Sequence, residues 1–300
     1  MAPAPELRHL RYLLAVVEHG TFTRAAEALH VSQPTLSQQI RSLERIVGAA
    51  LLDRSGRSAR ATDAGEVYVA HARRALRELA AAELAVQDVR DLSRGHVRLG
   101  VTPTFTAYLV APLVTAVHAR HPGLRVTVRE AAQQRIEEAL LDDGLDLGLG
   151  FTGARTAGIT AEPLFTETLG VVVARERAAP GPLPAAALAG RDLVLLSGDF
   201  ATRAAIDAYF AEQGVAPRVA VEADSALALI DIVRGGELAT VLPDAVVQGR
   251  RGLVSTAPRP PLPHRTAALL TREGGYRSAA AGALTALLRA QVAERGLPAP

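Results

Sequence analysis

A strand–loop–helix pattern occurs twice in the last two thirds of the chain, and this repeat constrains the fold more than any other sequence feature. In each copy a short apolar strand precedes a loop with Thr or Ser and then a helix, and two further strands follow at matching distances. The matching strands are offset by 95, 94 and 92 residues and lie at 97–101 and 193–196, at 124–128 and 218–222, and at 146–150 and 238–242. Alternating strands and helices predict an α/β fold, and the repeat predicts two similar lobes.

The end of the chain is expected to return to the first lobe. A Pro-rich run at 258–263, which we interpret as the crossing, precedes an apolar segment at 265–270 and a final helix near 278–294. We therefore assign about 95–165 and 266–300 to lobe I, and about 166–265 to lobe II.

The first 62 residues predict three short helices and a hairpin. Gly20 ends the first helix, Thr21 caps the second, and Ser32 caps the third, which carries Pro34 in its first turn. The third helix has apolar side chains spaced i, i+4 and i+7, which predict its buried face, at Leu36, Ile40 and Leu43. A Ser-Gly turn between two short extended pieces predicts the hairpin, which ends near residue 62.

The exposed face of the third helix is polar. A helix, a tight turn and a second helix with such a face is an arrangement that reads the DNA major groove. We predict base contacts at the start of the third helix, by Gln33, Pro34, Thr35, Ser37 and Gln38. Phosphate contacts are predicted for nearby hydroxyl and guanidinium groups, at Thr23, Arg24, Ser32, Arg41, Arg54, Arg57 and Arg60. The alternative is a solvated helix face on a protein-interaction module.

Residues 63–94 predict a long linker helix. The stretch has one Gly, no Pro and many Ala, Leu, Glu and Arg, and it would extend ~45 Å. Apolar side chains follow a heptad-like spacing, at Val69, Ala72, Leu76, Leu79 and Val86. This stripe is typical of a dimerising helix. The alternative is a helix that packs on its own domain.

The total charge of the chain says little about its partners, but the distribution of charge along the chain says more. All 33 cationic side chains are Arg, and with 31 acids they give a formal net charge of +2, too small to indicate nucleic-acid binding. The first 62 residues hold eight Arg and five acids, a net +3, which leaves −1 for the rest. The lack of Lys and Cys excludes Schiff-base enzymes, P-loops, thiol catalysis and disulfides. Apolar segments are far shorter than a membrane span, so we expect a cytoplasmic protein.

The two strand–loop–helix openings predict a ligand site between the lobes. Ligands of open α/β sheets lie beyond the carboxyl ends of strands, and helix N-termini there favour a small anion. The candidate effector-binding residues are Thr102, Thr104, Phe105 and Gln133 in lobe I and Ser197, Phe200, Thr202 and Arg203 in lobe II. The hydroxyls would donate hydrogen bonds and Arg203 would add a charge. The alternatives are helix capping for the hydroxyls and core packing for the two Phe.

No catalytic constellation is found at the strand ends. The glycines at 148, 150 and 153 match a dinucleotide fingerprint, but no clear helix follows them. Paired acids at Glu137-Glu138 and Asp142-Asp143 are interpreted as a solvated helix face. An enzyme that uses the cleft and a solute-binding protein with the same two lobes remain the remote alternatives. We expect no metal and no cofactor beyond a small effector.

The N-terminal residues resemble the winged helix-turn-helix of LysR-type transcriptional regulators. The resemblance is carried by Ala25, Ala26, Glu27, Leu29, Ser32, Gln33, Pro34, Leu36, Ser37, Ile40, Leu43 and Glu44, and it continues through Gly48, Leu51, Arg54, Arg57, Thr62, Ala64 and Gly65. Leu52 and Ala61 depart from the usual Phe and Leu. The resemblance then covers the linker helix and the two-lobed domain, hence nearly the whole chain.

The resemblance implies a bacterial regulator in three parts. A DNA-binding domain at 1–62 and a dimerisation helix at 63–94 precede an effector-binding domain at 95–300 that resembles periplasmic binding proteins. It also implies operator DNA and RNA polymerase as partners, a homotetramer built as a dimer of dimers, and a tendency to activate. The segments 101–106, 195–203 and 222–225 look most like the cyanate-operon regulator, so the expected effector is cyanate-like. An aromatic or aliphatic carboxylate is the alternative.

Overall fold

A computed structural model describes residues 4–54, 58–90, 95–153, 156–178, 181 and 183–300, without the side chains of 77, 81, 83–85 and 87–90. The chain divides into two compact units, Met1–Gln87 and Asp88–Pro300. The first is mainly helical and the second is α/β, so the predicted fold class is confirmed. None of the helices in these ranges is long and apolar enough to cross a membrane.

Three helices and a two-stranded hairpin form the body of the first unit. The elements are α1 (Leu7–His19), α2 (Phe22–Ala28), α3 (Gln33–Val47), β1 (Leu52–Asp53), β2 (Arg60–Ala61) and α4 (Asp63–Arg90). Gly20 ends α1 with a positive φ of 69°, as its left-handed cap position requires. The Thr21 and Ser32 hydroxyls accept the Arg24 and Thr35 amides, so both predicted caps are confirmed.

The unit's core lies where α1 and α3 meet. Leu36, Ile40 and Leu43 are fully buried there with Leu13 and Val16, as the spacing in α3 predicted. Burial of such side chains stabilises the unit by ~1.5–3 kcal/mol each.

One carboxylate on α3 attaches the hairpin. Glu44 Oε1 accepts the Leu51 and Leu52 amides at 3.0 and 3.2 Å, and Oε2 accepts Arg54 Nη2 at 2.7 Å. Leu52 pairs with Ala61 and is buried in the core. The two departures from the family pattern therefore leave the hairpin pairing intact.

The long helix α4 carries apolar side chains in two environments. Val69 and Ala72 are buried, and Val69 belongs to the core of the first unit. Leu79 and Val86, further along, are 43% and 60% exposed. Packing on the helix's own unit therefore accounts for its first turns and leaves an apolar surface beyond them.

Lobe I of the second unit is built on a five-stranded sheet in the order β4-β3-β5-β14-β6. Its elements are β3 (His96–Val101), α5 (Pro103–Phe105), a π-helical turn (Thr106–Val110), α6 (Ala111–Arg120), β4 (Arg125–Glu130), α7 (Gln133–Leu141), β5 (Leu147–Phe151), β6 (Ile159–Glu167), β14 (Arg265–Arg272) and α10 (Ala279–Glu294). Strand β14 runs antiparallel to β5 and β6, so the return of the chain to lobe I is confirmed.

Lobe II holds the second copy of the repeat. Its elements are β7 (Leu169–Ala174), a 3-10 turn (Arg175–Arg177), β8 (Leu183–Pro184), a 3-10 turn (Ala185–Leu188), β9 (Asp192–Leu196), α8 (Ala201–Glu212), β10 (Arg218–Ala223), α9 (Ala226–Gly235), β11 (Thr240–Pro243), a 3-10 turn (Asp244–Val246), β12 (Leu253–Thr256) and β13 (Pro258–Arg259). Strand β9 pairs with β10 in parallel, as β3 does with β4. A bridge from Leu193 to Ala239 links this pair to the β11-β7-β12 sheet.

The lobes pack against each other through a shared apolar cluster. Phe105 and Leu109 of lobe I belong to the same buried cluster as Leu229 and Ile230 of lobe II. The chain passes between the lobes at Thr168 and again after β13. The site predicted between the lobes therefore lies where two well-packed bodies meet.

Candidate DNA-binding surface and interlobe site

The start of α3 presents most of the predicted base-reading side chains to solvent. Gln33, Pro34, Thr35 and Gln38 are exposed. Ser37 is 8% exposed, and its hydroxyl accepts Arg41 Nη2 at 3.0 Å. The prediction that Ser37 lies on the exposed face is wrong, because the packing of α3 against the core turns this small residue inward.

The predicted phosphate-contacting groups fall into two sets. Thr23, Arg24, Ser32, Arg41 and Arg60 are exposed, and Arg57 lies outside the described residues. Arg54 is held by Glu44, and its guanidinium lies 5.2 Å from the centre of the Phe22 ring. These contacts position Arg54 as part of the hairpin attachment and leave it only partly available to DNA.

A buried histidine that the sequence analysis missed connects α1 to α3. His9 Nδ1 accepts the Glu6 amide at 3.0 Å, so Nε2 must carry the proton that it donates to Gln39 Oε1 at 2.9 Å. The signal was present, because His9, Leu13 and Val16 share one face at i, i+4 and i+7. His9 therefore helps to orient the helix that carries the predicted base-reading side chains.

Two substitutions should separate base reading from phosphate binding. Gln33→Ala is expected to cost ~1–3 kcal/mol of discrimination between operator variants, because a side-chain amide can bond a base edge. Arg60→Ala is expected to weaken binding to all sequences alike and to lower the salt slope by about one. Titrations of operator and scrambled DNA at several salt concentrations measure both effects. Equal, sequence-independent losses from both variants would contradict these roles.

One edge of the lobe I sheet collects polar groups at the junction with lobe II. Thr102 follows β3 and donates its amide to Leu149 of β5, while Arg265 begins β14 opposite Glu167 at the end of β6. Thr102 and Thr104 are buried, at 4% and 0% exposure. Their hydroxyls find no hydrogen-bond partner in the described ranges. An unpartnered buried polar atom lowers the stability of the folded chain by ~1–3 kcal/mol. Two such atoms at one sheet edge therefore mark this edge as a candidate ligand site.

A buried ion pair crosses the junction at the same edge. Arg265 Nη2 donates to Glu167 Oε2 at 2.6 Å, and the two side chains are 8% and 2% exposed. Arg265 Nη1 donates to Thr202 Oγ1 of lobe II at 2.7 Å, and the guanidinium lies 4.1 Å from the centre of the Phe151 ring. The ion pair therefore connects lobe I to the first turn of α8.

The π-helical turn brings two further groups to the junction. Tyr108 donates its hydroxyl to Glu167 Oε1 at 2.5 Å, and Arg250 Nη2 of lobe II donates to the Ala107 carbonyl at 2.6 Å. A π-helical turn changes the backbone hydrogen-bonding pattern, and such turns are frequent at functional sites. Neither Arg250 nor Tyr108 was found from the sequence.

The structure places Thr102, Thr104 and Thr202 at this junction, and the other predicted groups have different surroundings. Phe105 is fully buried among the rings of Tyr108, Phe151 and Phe165, which makes it a core residue. Phe200 is also buried in the shared cluster. Core packing, the alternative for both, describes them better than cleft lining.

Two predicted polar groups are already bonded within their own lobes. The Gln133 side-chain amide accepts the Phe151 amide at 2.9 Å and donates to the Phe151 carbonyl at 3.1 Å, which fastens α7 to β5. Ser197 donates its hydroxyl to Asp224. Both groups therefore serve local structure in this arrangement.

Arg203 does not fit its predicted role as the anion-binding charge. Its guanidinium forms ion pairs with Asp207 at 2.8 Å and Glu222 at 2.5 Å, and it donates to the Leu196 carbonyl. Two carboxylates already neutralise it. The interpretation of Glu137 as solvated is also wrong, because Glu137 is buried and accepts the hydroxyl and amide of Thr156.

Burial and the neighbouring Glu167 carboxylate raise the pKa of Tyr108 well above its usual value of 10. The unfolded chain ionises near pH 10, so the contribution of Tyr108 to stability is full below pH 10 and is lost as the pH rises towards its folded pKa. The chain has no Lys or Cys side chain to ionise in this range. We expect Tyr108→Phe to make the loss of stability between pH 9 and about 11.5 shallower. Urea denaturation across that range measures this, and an unchanged slope would contradict it.

Both units match families of known regulators. Residues 7–66 match the family described as "Bacterial regulatory helix-turn-helix protein, lysR family", and residues 90–293 match the "LysR substrate binding domain". The chain belongs to the LysR family of transcriptional regulators. It is therefore a DNA-binding regulator with an effector-binding domain, and members of this family are regulators rather than enzymes.

Relatives within the LysR family respond to different conditions. The chain is 33% identical to the nitrogen assimilation regulatory protein Nac of Klebsiella aerogenes, over 82% of this chain and 81% of Nac. It is also 33% identical to the transcriptional dual regulator OxyR of Escherichia coli, over 89% and 90% of the two chains. A solved cysteine-to-aspartate variant of full-length Pseudomonas aeruginosa OxyR superposes with a TM-score of 0.72 at 25% identity, covering 96% and 95%. The finer resemblance to a cyanate-operon regulator gains no support from these relatives.

Proposed function

We propose that this LysR-type regulator adjusts its contact with operator DNA in response to a small anionic metabolite bound between the lobes. The observation that carries the proposal is the pair of buried, unpartnered hydroxyls of Thr102 and Thr104 at the sheet edge that also holds Arg265. A ligand with acceptor oxygens would satisfy such groups, and the surrounding burial would strengthen each hydrogen bond. The effector is the only small molecule that this proposal requires.

This chain lacks the cysteine that a thiol-based response to peroxide requires. Some relatives are named hydrogen peroxide-inducible genes activators, among them the protein of Streptomyces viridosporus that is 34% identical over 98% of this chain. The 300 residues here contain no Cys and a single Met. Reversible thiol oxidation needs cysteine. In the proposed switch the signal is therefore the binding of a ligand and not the oxidation of a thiol.

Contacts across the junction would let a bound ligand change how the two lobes pack. Arg265 bonds Thr202, and Arg250 bonds Ala107, so both lobes contribute to one polar network. A ligand that favours one packing of the lobes by ~1–3 kcal/mol changes the regulator's response several-fold. In the proposal this change passes through a homotetramer, a dimer of dimers paired by the exposed apolar side chains of α4. The regulator then acts as a cytoplasmic activator together with RNA polymerase.

Two chemical classes of anion are candidates for the effector. A linear anion such as cyanate fits a site built from hydroxyl donors. An aromatic or aliphatic carboxylate fits a site with a guanidinium, and the presence of Arg265 at the junction favours it.

Footprinting on the DNA upstream of the protein's own gene tests the proposal. Purified full-length protein is expected to protect a discrete site at moderate salt, and the protected boundary or affinity is expected to change when an effector is added. Protein that protects no site at any salt tested would refute operator binding. An unchanged footprint across a panel of small anions and carboxylates would refute anion control while leaving DNA binding intact.

A further inference from the structure

The Arg265 guanidinium has a donor edge that its partners use only in part. Nη2 donates to Glu167 Oε2, whereas the adjacent Nε is buried and has no hydrogen-bond partner in the part of the chain that is described. Arginine binds a carboxylate most strongly when two parallel N–H groups meet its two oxygens. Glu167 does not complete this arrangement, because its Oε1 accepts the Tyr108 hydroxyl instead. Of the two parallel N–H groups on this edge of Arg265, called here the fork, only Nη2 is therefore used.

The surroundings of this fork suit a flat, partly apolar ligand. The guanidinium stacks 4.1 Å from the centre of the Phe151 ring. Strand β5, which ends at Phe151, neighbours β3, which is followed by Thr102 and Thr104 with their unpartnered hydroxyls. The sheet edge thus offers three donors without acceptors, at Arg265 Nε and at the two Thr hydroxyls.

The charge balance at the junction decides how an anion can enter. Arg265 and Glu167 form a neutral buried pair. A second carboxylate added beside an intact pair would leave one buried negative charge without a partner, which is strongly unfavourable. An incoming carboxylate therefore has to take the place of Glu167 on the guanidinium and has to bring one proton, which Glu167 takes up so that the junction stays neutral.

We propose that the effector is a small carboxylate that binds the Nε–Nη2 edge of Arg265 in competition with Glu167. This inference rests on the proposed function and narrows its ligand class. Two oxygens of one carboxylate match the two N–H groups, whereas a linear anion such as cyanate presents a single terminal atom to them. Glu167 is the internal competitor that keeps the fork half occupied when the effector is absent.

The competition also explains how binding reaches the second lobe. Arg265 donates to Thr202 in the first turn of α8, so any movement of the guanidinium alters a contact between the lobes. Once released from Arg265, Glu167 is a neutral carboxylic acid that stays hydrogen-bonded to Tyr108 in the π-helical turn. Both sides of the junction therefore respond to one exchange of carboxylates.

Binding of acetate, benzoate and cyanate to the full-length protein tests the inference by calorimetry. Glu167→Gln removes the competing charge and is expected to raise the affinity for acetate and benzoate at least about tenfold, with a smaller effect on cyanate. Arg265→Lys keeps the charge without the fork and is expected to lower carboxylate affinity by about tenfold. The control is Glu162→Gln, an exposed glutamate on the same strand that pairs with Arg289 and is expected to leave all three affinities unchanged.

The outcomes separate this inference from the proposed function. Carboxylate binding that is unaffected by both Glu167→Gln and Arg265→Lys would overturn the inference and leave an anionic effector in place elsewhere between the lobes. A preference for cyanate over both carboxylates in the Glu167→Gln variant would also overturn it. Failure of wild type and Glu167→Gln to bind any of the three anions would overturn both the inference and the anionic effector. If the wild-type protein still protects its operator in the footprinting experiment, its assignment as a DNA-binding regulator stands.

Discussion

Replacing Arg265 with Ala is expected to lower the free energy of unfolding of the effector-binding unit by about 3–5 kcal/mol. The substitution leaves the Glu167 carboxylate charged and buried at 2% exposure, with Tyr108 as its remaining bonded side chain. It also removes the contact with the Phe151 ring and the donor to Thr202. Urea denaturation at neutral pH measures the loss.

A second arginine, on helix α10, provides the control. Arg289 pairs with Glu162 of β6, but the two side chains are 51% and 41% exposed. Arg289→Ala is expected to cost less than about 1 kcal/mol, because solvent screens exposed pairs. The double variant Arg265→Ala/Glu167→Ala is expected to recover part of the loss, since no charge is then left unpaired. If Arg265→Ala and Arg289→Ala lower the free energy of unfolding by equal, small amounts, the buried ion pair contributes no more to stability than the exposed one.

Gly65→Ala is expected to destabilise the DNA-binding unit by about 1–3 kcal/mol or more and to lower operator affinity with it. A Cβ at this position would lie 1.9 Å from the Leu51 carbonyl oxygen, a backbone atom that cannot turn away as a side chain can. Gly65 also donates its amide to Thr62 Oγ1 at 3.0 Å, and Thr62 in turn bonds the Ala50 carbonyl. The extra methyl therefore forces the hairpin away from α4 where the two join.

Gly282→Ala is the matched control for Gly65→Ala. Gly282 lies inside α10, and a Cβ there would meet no atom within 4 Å. Alanine is the better helix former, so this variant is expected to gain about 0.5–1 kcal/mol. Thermal denaturation of both variants beside the wild type measures the opposite signs. Similar effects from the two substitutions would show that the close approach at Leu51 is not what requires glycine.

The elements that were predictable from sequence are those specified by local patterns. The repeated strands, the caps at Thr21 and Ser32, and the inward face of α3 follow from residue types within a few positions of one another. Such patterns need no knowledge of tertiary packing.

The groups that were missed depend on distant pairing. Arg265 and Glu167 are 98 residues apart and meet only through the register of β14 with β6. Arg203 was misjudged although a local signal existed, because Asp207 is its i+4 neighbour on α8. Ser37 was assigned to the polar, exposed face of the third helix, and only the docking of α3 against the core shows that it is buried.

The Glu44 carboxylate gives the readout helix and the hairpin a fixed separation. Its two oxygens accept three N–H groups of the hairpin, from Leu51, Leu52 and Arg54, so the two elements that are predicted to face DNA move as one body. A rigid two-point contact makes the duplex adapt to the protein, and the energy of that adaptation depends on the bases being bent or narrowed. We therefore expect operator selection by this protein to extend to base steps that no side chain touches, through the stiffness and groove width of the DNA itself.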